Sequence, residues 1–167
     1  LRDYFGKLQS AVILRAAQSR HEQQNELLDM LNGISSCSER VKVILSDEHS
    51  PVPRFEILKD NTPVGVQFVG IPGGHEFSSL ILAILNAGGA GLAPDSALQA
   101  RMARLSDKAD IRTFVSLSCE NCPDIVQALN QIAIYGGRVR HTMVEGSVVQ
   151  DELASLNIQG EIGRAHV

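Results

Sequence analysis

SLSCENCPDIVQALNQ, running from Ser116 to Gln131, places Cys119 and Cys122 between a strand pattern and a helix pattern. Upstream, Ile111, Thr113, Val115 and Leu117 alternate with Arg112, Phe114 and Ser116, the period of a strand with two distinct faces. Downstream, Pro123 suits a first helical turn, and Val126, Leu129, Ile132 and Ala133 recur at helical spacing until Gly136 and Gly137 stop it. At such a junction the free backbone N–H groups and the positive end of the helix dipole favour an anion, so Cys119, the more exposed of the pair by position, is expected to ionise readily. A thiolate is the nucleophile of disulfide exchange. Cys122, one turn further in, is placed to attack the mixed disulfide and release the partner. The competing chemistry is half of a zinc site, whose further ligands would have to be Cys37 and His141, and these show no metal-ligand spacing. The pair therefore reads as a redox dithiol.

At 167 residues the chain suffices for one domain of ordinary size or two small ones, and its 44% hydrophobic content can build a core. A net charge of −4 with no basic block argues against nucleic acid as a partner. The longest apolar run, near Leu80 to Leu85, is too short to span a bilayer, and the N-terminal region carries scattered charges in place of a signal-peptide core. A cytoplasmic protein without membrane contact is expected, although a chain that opens on Leu1 and not Met leaves its native start open. With three cysteines there is no secreted disulfide framework, and in a reducing compartment a C-x-x-C pair points to catalysis more than to stapling.

Taken in order, Asp3 to Gln9 reads as a helix end and Ala11 to Ala17 as a strand. Ser19 and Glu22 form a capping box for a helix with Leu27, Leu28, Met30, Leu31 and Ile34 on its buried stripe. Val41 to Leu45 is a second strand, and Arg54 to Lys59 and Val64 to Val69 flank Asp60-Asn61-Thr62-Pro63 as a hairpin. A Gly-rich turn leads through His75 and Glu76 into a helix carrying Phe77, Leu80, Ile81, Ile84 and Leu85. Strand, helix, strand, strand, strand, helix is the order of a thioredoxin-type fold. Where that fold carries its C-x-x-C, this chain has Ala16 to Glu22, without cysteine. After the linker AGGAGLAPDS comes a helix with Leu98, Met102 and Leu105 on one face, and then the order begins again with the Ile111 strand, the dithiol, the Pro123 helix, a strand from Arg138 to Val144 and a short helix near Val149 to Leu156. The expected fold class is α/β, two tandem thioredoxin-like folds: a degenerate copy over residues 1–92 and a dithiol-bearing copy, truncated at its C-terminus, over 93–160.

GHEFSSLILAILNAGG, SLSCENCPDIVQALN and RVRHTMVEGSVVQDE, in this order, strongly resemble the N-terminal region of the F component of alkyl hydroperoxide reductase. The resemblance implies the electron shuttle of a larger, NADH-dependent flavoprotein that forms a homodimer. Electrons would pass from NADH to FAD, through a thioredoxin-reductase-like body to Cys119 and Cys122, and on to the disulfide of a partner peroxiredoxin. FAD and NADH are implied only for the longer parent, since no Gly-x-Gly-x-x-Gly follows a strand here. The resemblance also brings forward Glu76, which matches a glutamate proposed to assist acid–base chemistry beside the dithiol. A partly buried carboxylate with a raised pKa would serve that role, whereas a purely local role would be to favour the helix N-terminus. His75, Cys37 and His141 are expected to be structural. The alternatives are a stand-alone glutaredoxin-like oxidoreductase and a non-catalytic partner-docking module.

The chain departs from that family at its end. Pro53 occupies the place of the cis-proline in the first copy, but in the second the family continues into a Val-Pro segment, a hairpin and a helix, where this chain ends GEIGRAHV. Residues 161–167 resemble a translated sequencing adapter and are expected to be non-native. A second fold cut short in this way is expected to show an unpaired sheet edge and an uncovered apolar face.

Overall fold

The computed structural model describes residues 1–105 and 108–158, so the 161–167 segment lies outside the described residues. Its helices are α1 (Arg2–Phe5), α2 (Gln24–Ser35), α3 (Phe77–Ala87), α4 (Ser96–Ala103), α5 (Cys122–Gly136) and α6 (Gln150–Ser155). Its strands are β1 (Val12–Gln18), β2 (Val41–His49), β3 (Arg54–Lys59), β4 (Thr62–Val69), β5 (Ala109–Val115) and β6 (Val139–Glu145). They form one six-stranded sheet in the order β2-β1-β3-β4-β6-β5.

The element order expected from the sequence is present, and the fold is α/β and thioredoxin-like. How the halves meet was not foreseen. β6 pairs with β4 in parallel, Val66 opposite His141 through Val69 opposite Val144, so the strands of the later segment extend the earlier sheet. One of the two edges that a separate second sheet would have exposed is thereby closed. β5 pairs only with β6 among the described residues and keeps its outer edge, where Asp110 and Arg112 are charged.

One face of the sheet is apolar across all six strands. Leu14, Ile57, Phe68 and Met143 are fully buried on it, with Leu27 and Leu31 of α2, Leu80 and Ile84 of α3, and Val126 and Ala133 of α5 packed in the same core. Phe55 and Phe68 stack across β3 and β4 with ring centroids 5.1 Å apart. On the opposite face a polar row crosses the strands: Arg15 is paired with Glu56, Glu56 lies opposite Gln67, Gln67 opposite Thr142, and Thr142 opposite Arg112, which is paired with Glu152 of α6.

Several local expectations are corrected. The Ser19–Glu22 capping box does not form: Ser19 Oγ accepts from His21 N at 3.1 Å and His21 Nδ1 from Gln23 N at 3.2 Å, so successive side-chain turns carry the chain past Glu22 before the helix starts at Gln24. The hairpin turns on two residues, not four. Asp60 and Asn61 both take positive φ, 46° and 68°, the conformation of a tight hairpin whose twist matches its strands. Pro63 then falls inside β4, before the stretch that pairs with β6, so its missing N–H costs no bond on that side. No peptide bond among the described residues is cis, so Pro53 is trans, its carbonyl accepting from Gly70 N at 2.7 Å. On α4 only Met102 is buried; Leu98 stays 38% exposed, and Leu105, past the end of the helix, 40%.

One polar network lies inside the core. His141 on β6 is fully buried; its Nδ1 donates to Asn130 Oδ1 at 2.7 Å, since an amide oxygen can only accept, and its Nε2 accepts from the Thr113 hydroxyl at 2.9 Å. Burial lowers the imidazole pKa from 6.5 to about 4. The neutral ring is thus a core residue, as expected from sequence.

Truncating Leu80 to alanine should cost ~2–5 kcal/mol in urea unfolding, the range for deleting a fully buried leucine; a loss below ~1 kcal/mol would mean that α3 is not seated as described. The His141 proton binds better to the unfolded chain, so the folded state loses stability as pH falls from 6.5 towards 4, by up to about 3 kcal/mol. The stability gap between wild type and His141→Gln, which cannot titrate, should therefore narrow over that window, and a constant gap would contradict the assigned burial.

Candidate active site

β4, β6 and β5 are mutually parallel, with Val69 and Phe114 both level with Val144. The loops that leave β4 and β5 therefore emerge at the same end of the sheet. One carries Glu76, the other the cysteines.

After β5 the chain turns tightly. Ser116 Oγ meets Ser118 Oγ at 2.8 Å, and Cys119 N donates to the Ser116 carbonyl at 3.0 Å. Cys119 and Cys122 are joined as a disulfide, Cα atoms 5.5 Å apart. Cys122 is the first residue of the fifteen-residue α5, with Pro123 in its first turn. The N-cap Asn121 makes no side-chain cap bond, and Cys122 N donates instead to Cys119 Sγ at 3.2 Å. A sulfur thus takes the place of a capping oxygen. Once reduced, Cys119 would face a backbone N–H at the positive end of a helix, which favours its thiolate. The strand-to-helix junction read from sequence is present, and Cys119 is the more exposed of the pair, though both are buried. It is 4% exposed and Cys122 0%, with Ser118, Glu120 and Asn121 forming the exposed rim.

Glu76 closes a 3₁₀ turn, Gly74–Glu76, that leads into α3. The turn leans on the dithiol loop, with His75 N donating to the Leu117 carbonyl at 3.3 Å. Gly74, at φ +54°, fits only because it has no side chain: a Cβ there would stand 2.6 Å from the Leu117 oxygen. Glu76 is the N-cap residue of α3 and makes no side-chain cap bond. It is fully buried, and burial raises its carboxyl pKa; the Ser79 hydroxyl and the His75 charge pull it partly back. Ser79 follows one helical turn on, and neither carboxylate oxygen has a full hydrogen bond from the protein. The structure thus brings the three sequence-selected residues to one end of the sheet. Cys37 lies beyond α2, its Sγ donating to the Gly33 carbonyl at 3.6 Å.

Sequence reasoning passed over Ser79 and Gln127. Ser79 is fully buried on α3, and Gln127 of α5 donates from Nε2 to its Oγ at 3.4 Å. The available signal was a serine three residues after Glu76, one helical turn away, in line with Leu80 and Ala83.

No family model matches the chain. It is 35% identical over 162 residues to the F component of alkyl hydroperoxide reductase from Escherichia coli (strain K12), a match covering 96% of this chain and 31% of that protein. The chain spans about 30% of the length of the curated relatives it matches. Among solved structures it resembles the NTD_N/C domain of the alkylhydroperoxide reductase AhpF from Enterococcus faecalis (V583), with a TM-score of 0.88 and 28% identity over 96% of this chain and 84% of that one. A point mutant of AhpF from the same organism gives a TM-score of 0.86 and 30% identity over 95% of this chain and 82% of that one. With the dithiol at the head of α5, the glycine turn bearing Glu76 and this degree of identity together, the chain belongs to the family of alkyl hydroperoxide reductase F components and corresponds to their N-terminal region.

Proposed function

We propose that this chain is the dithiol/disulfide electron shuttle of a peroxiredoxin reductase, and that it acts in the cytoplasm. The observation that carries this reading is the Cys119–Cys122 disulfide at the N-terminus of α5, with the buried Glu76, its pKa raised by burial, on the turn that bonds the dithiol loop through His75 N and the Leu117 carbonyl. Two electrons from the flavin body of the parent protein would reduce the disulfide to two thiols. The Cys119 thiolate then attacks one sulfur of a peroxiredoxin disulfide, forming a mixed disulfide and releasing the other partner sulfur as a thiolate. Cys122 gives its proton to Glu76 and attacks Cys119 Sγ, which re-forms the internal disulfide and frees the reduced partner.

In this reading residues 1–92 are a redox-silent copy that supplies the proton acceptor, and 93–160 the copy that carries the electrons. FAD and NADH belong to the remainder of the parent. The chain has no Gly-x-Gly-x-x-Gly turn between a strand and a helix to receive either. No helix among the described residues is long and apolar enough to cross a membrane.

With the pre-reduced chain mixed against a peroxiredoxin disulfide in stopped flow, Cys119→Ser should lower transfer by at least ~100-fold, the scale expected on loss of an activated nucleophile. Transfer at the wild-type rate would make the chain a docking module and not a shuttle. Glu76→Gln should separate activity from stability. A carboxyl with a raised folded pKa costs stability above its ordinary pKa of 4.5, so at pH 7.5 the glutamine variant should melt higher while resolving its mixed disulfide more slowly. A variant that melts lower and exchanges normally would assign Glu76 to structure alone.

A further inference from the structure

A fully enclosed proton acceptor needs a path by which its proton leaves. Glu76 is 0% exposed, and the groups acting on its ionisation are the exposed His75 in its own turn and Ser79 one helical turn on. α3 carries no charged side chain; from the dithiol loop and α5 come Cys119 and Cys122, with Glu120 and Asp124 on the surface. Beyond Ser79, between α3 and α5, lies a cavity of about 220 Å³ bordered by the polar Ser79, Asn86, Gln127, Asn130 and Gln131 and by the apolar Leu82, Ala83 and Leu92. Asn130 is 1% exposed, and its buried Nδ2 has no hydrogen-bond partner in the protein. At about 30 Å³ for each water, that space accommodates several, and its walls offer them polar partners.

Ser79 therefore lines the cavity while standing three residues, one helical turn, on from Glu76, the spacing that sets two side chains on one helix face. Gln127 Nε2 donates to Ser79 Oγ at 3.4 Å and to Ser78 Oγ at 3.3 Å. An oxygen that accepts from Gln127 keeps its own proton free to turn towards the carboxylate or the cavity. Gln127 lies on α5, the helix that begins at Cys122, so the orientation of this hydroxyl is tied to the element that carries the dithiol.

We propose that Ser79 is a positioning residue that relays protons between Glu76 and the α3–α5 cavity. The inference rests on the reading of Glu76 as the proton acceptor for Cys122. In the relay step the protonated Glu76 gives its proton to Ser79 Oγ while the Ser79 hydroxyl proton passes to a cavity water. The products are a carboxylate, an intact serine and a hydronium ion that exchanges with solvent.

The test is the rate of disulfide resolution in the full chain with a small aromatic disulfide as substrate, between pH 5 and 9, in light and heavy water. Ser79→Ala should slow the base-dependent phase about tenfold, enlarge its solvent isotope effect and recover with added imidazole, whereas Ser79→Thr, which keeps a hydroxyl, should stay within about threefold of wild type. A wild-type pH profile for Ser79→Ala beside a displaced one for Glu76→Gln would overturn the relay and leave the role of Glu76 standing. Wild-type profiles for both would remove that role and the relay with it. Should Ser79→Ala fail to fold, Gln127→Leu at the half-buried mouth of the cavity decides the matter: a slower phase rescued by imidazole supports the relay, and an unchanged profile overturns it.

Discussion

The parallel pairing of β4 with β6 is the constraint on which the site depends. β1 runs antiparallel to β3, and β3 antiparallel to β4, so β1, β4, β6 and β5 all point the same way. In a sheet of common polarity the loops that follow the strands gather at one end, which is where ligand and catalytic sites of such sheets form. The register from Val66–His141 to Val69–Val144 sets the Glu76 turn level with the dithiol loop, two strands away. A slip of one residue would turn Phe68 and Met143 out of the core and carry the turn off Leu117. Packing that looks purely structural thus fixes where a buried carboxyl sits relative to the dithiol loop.

Two buried ionisable groups show how differently the fold treats structure and site. His141 has a partner on each ring nitrogen and stays neutral, so its burial is compensated. Glu76 is equally enclosed, with no full hydrogen bond to either carboxylate oxygen. A buried carboxylate left so weakly satisfied costs free energy unless it takes up a proton. Satisfying it fully would hold it ionised; leaving it unsatisfied keeps it ready to accept a proton. Gln23, Gln24 and Asn130 each leave one buried side-chain atom unbonded among the described residues, whereas Glu76 leaves both carboxylate oxygens so.

Much of this was legible in the sequence because it is local. Strand alternation through Val115, Pro123 in a first turn and two cysteines between them define the junction without tertiary information, and the resemblance singled out Glu76. What could not be read depends on contacts between distant segments. The β4–β6 pair joins residues about 75 apart, and no period in either strand specifies its neighbour. Cys119 is buried by packing in the core shared with the earlier segment, which its place at the start of a helix does not reveal. The capping box failed for a local reason: Ser19 and His21 each captured the N–H two residues on, and these short-range bonds outcompeted the longer reach to a helical turn. Ser79 escaped notice because a serine on the buried face of a helix satisfies the helical period as well as alanine does.

The shared polarity of β1 and β5 has one more consequence. Each is followed by a turn and a helix at the same end of the sheet, so the fold offers two equivalent junctions. At the first, Ser19 Oγ and His21 Nδ1 accept the free N–H groups before α2, and nothing nucleophilic is left there. At the second, the N–H of Cys122 is held by sulfur, a weak acceptor that becomes a strong one only as a thiolate. The same backbone problem has a closed solution in one half and a reactive one in the other. With its own junction closed, the first half contributes through the next turn along, where β4 gives way to α3 and Gly74 allows the chain to press on Leu117. The contrast follows from geometry: one junction is closed by side-chain oxygen and nitrogen, and the other holds a disulfide at the head of its helix.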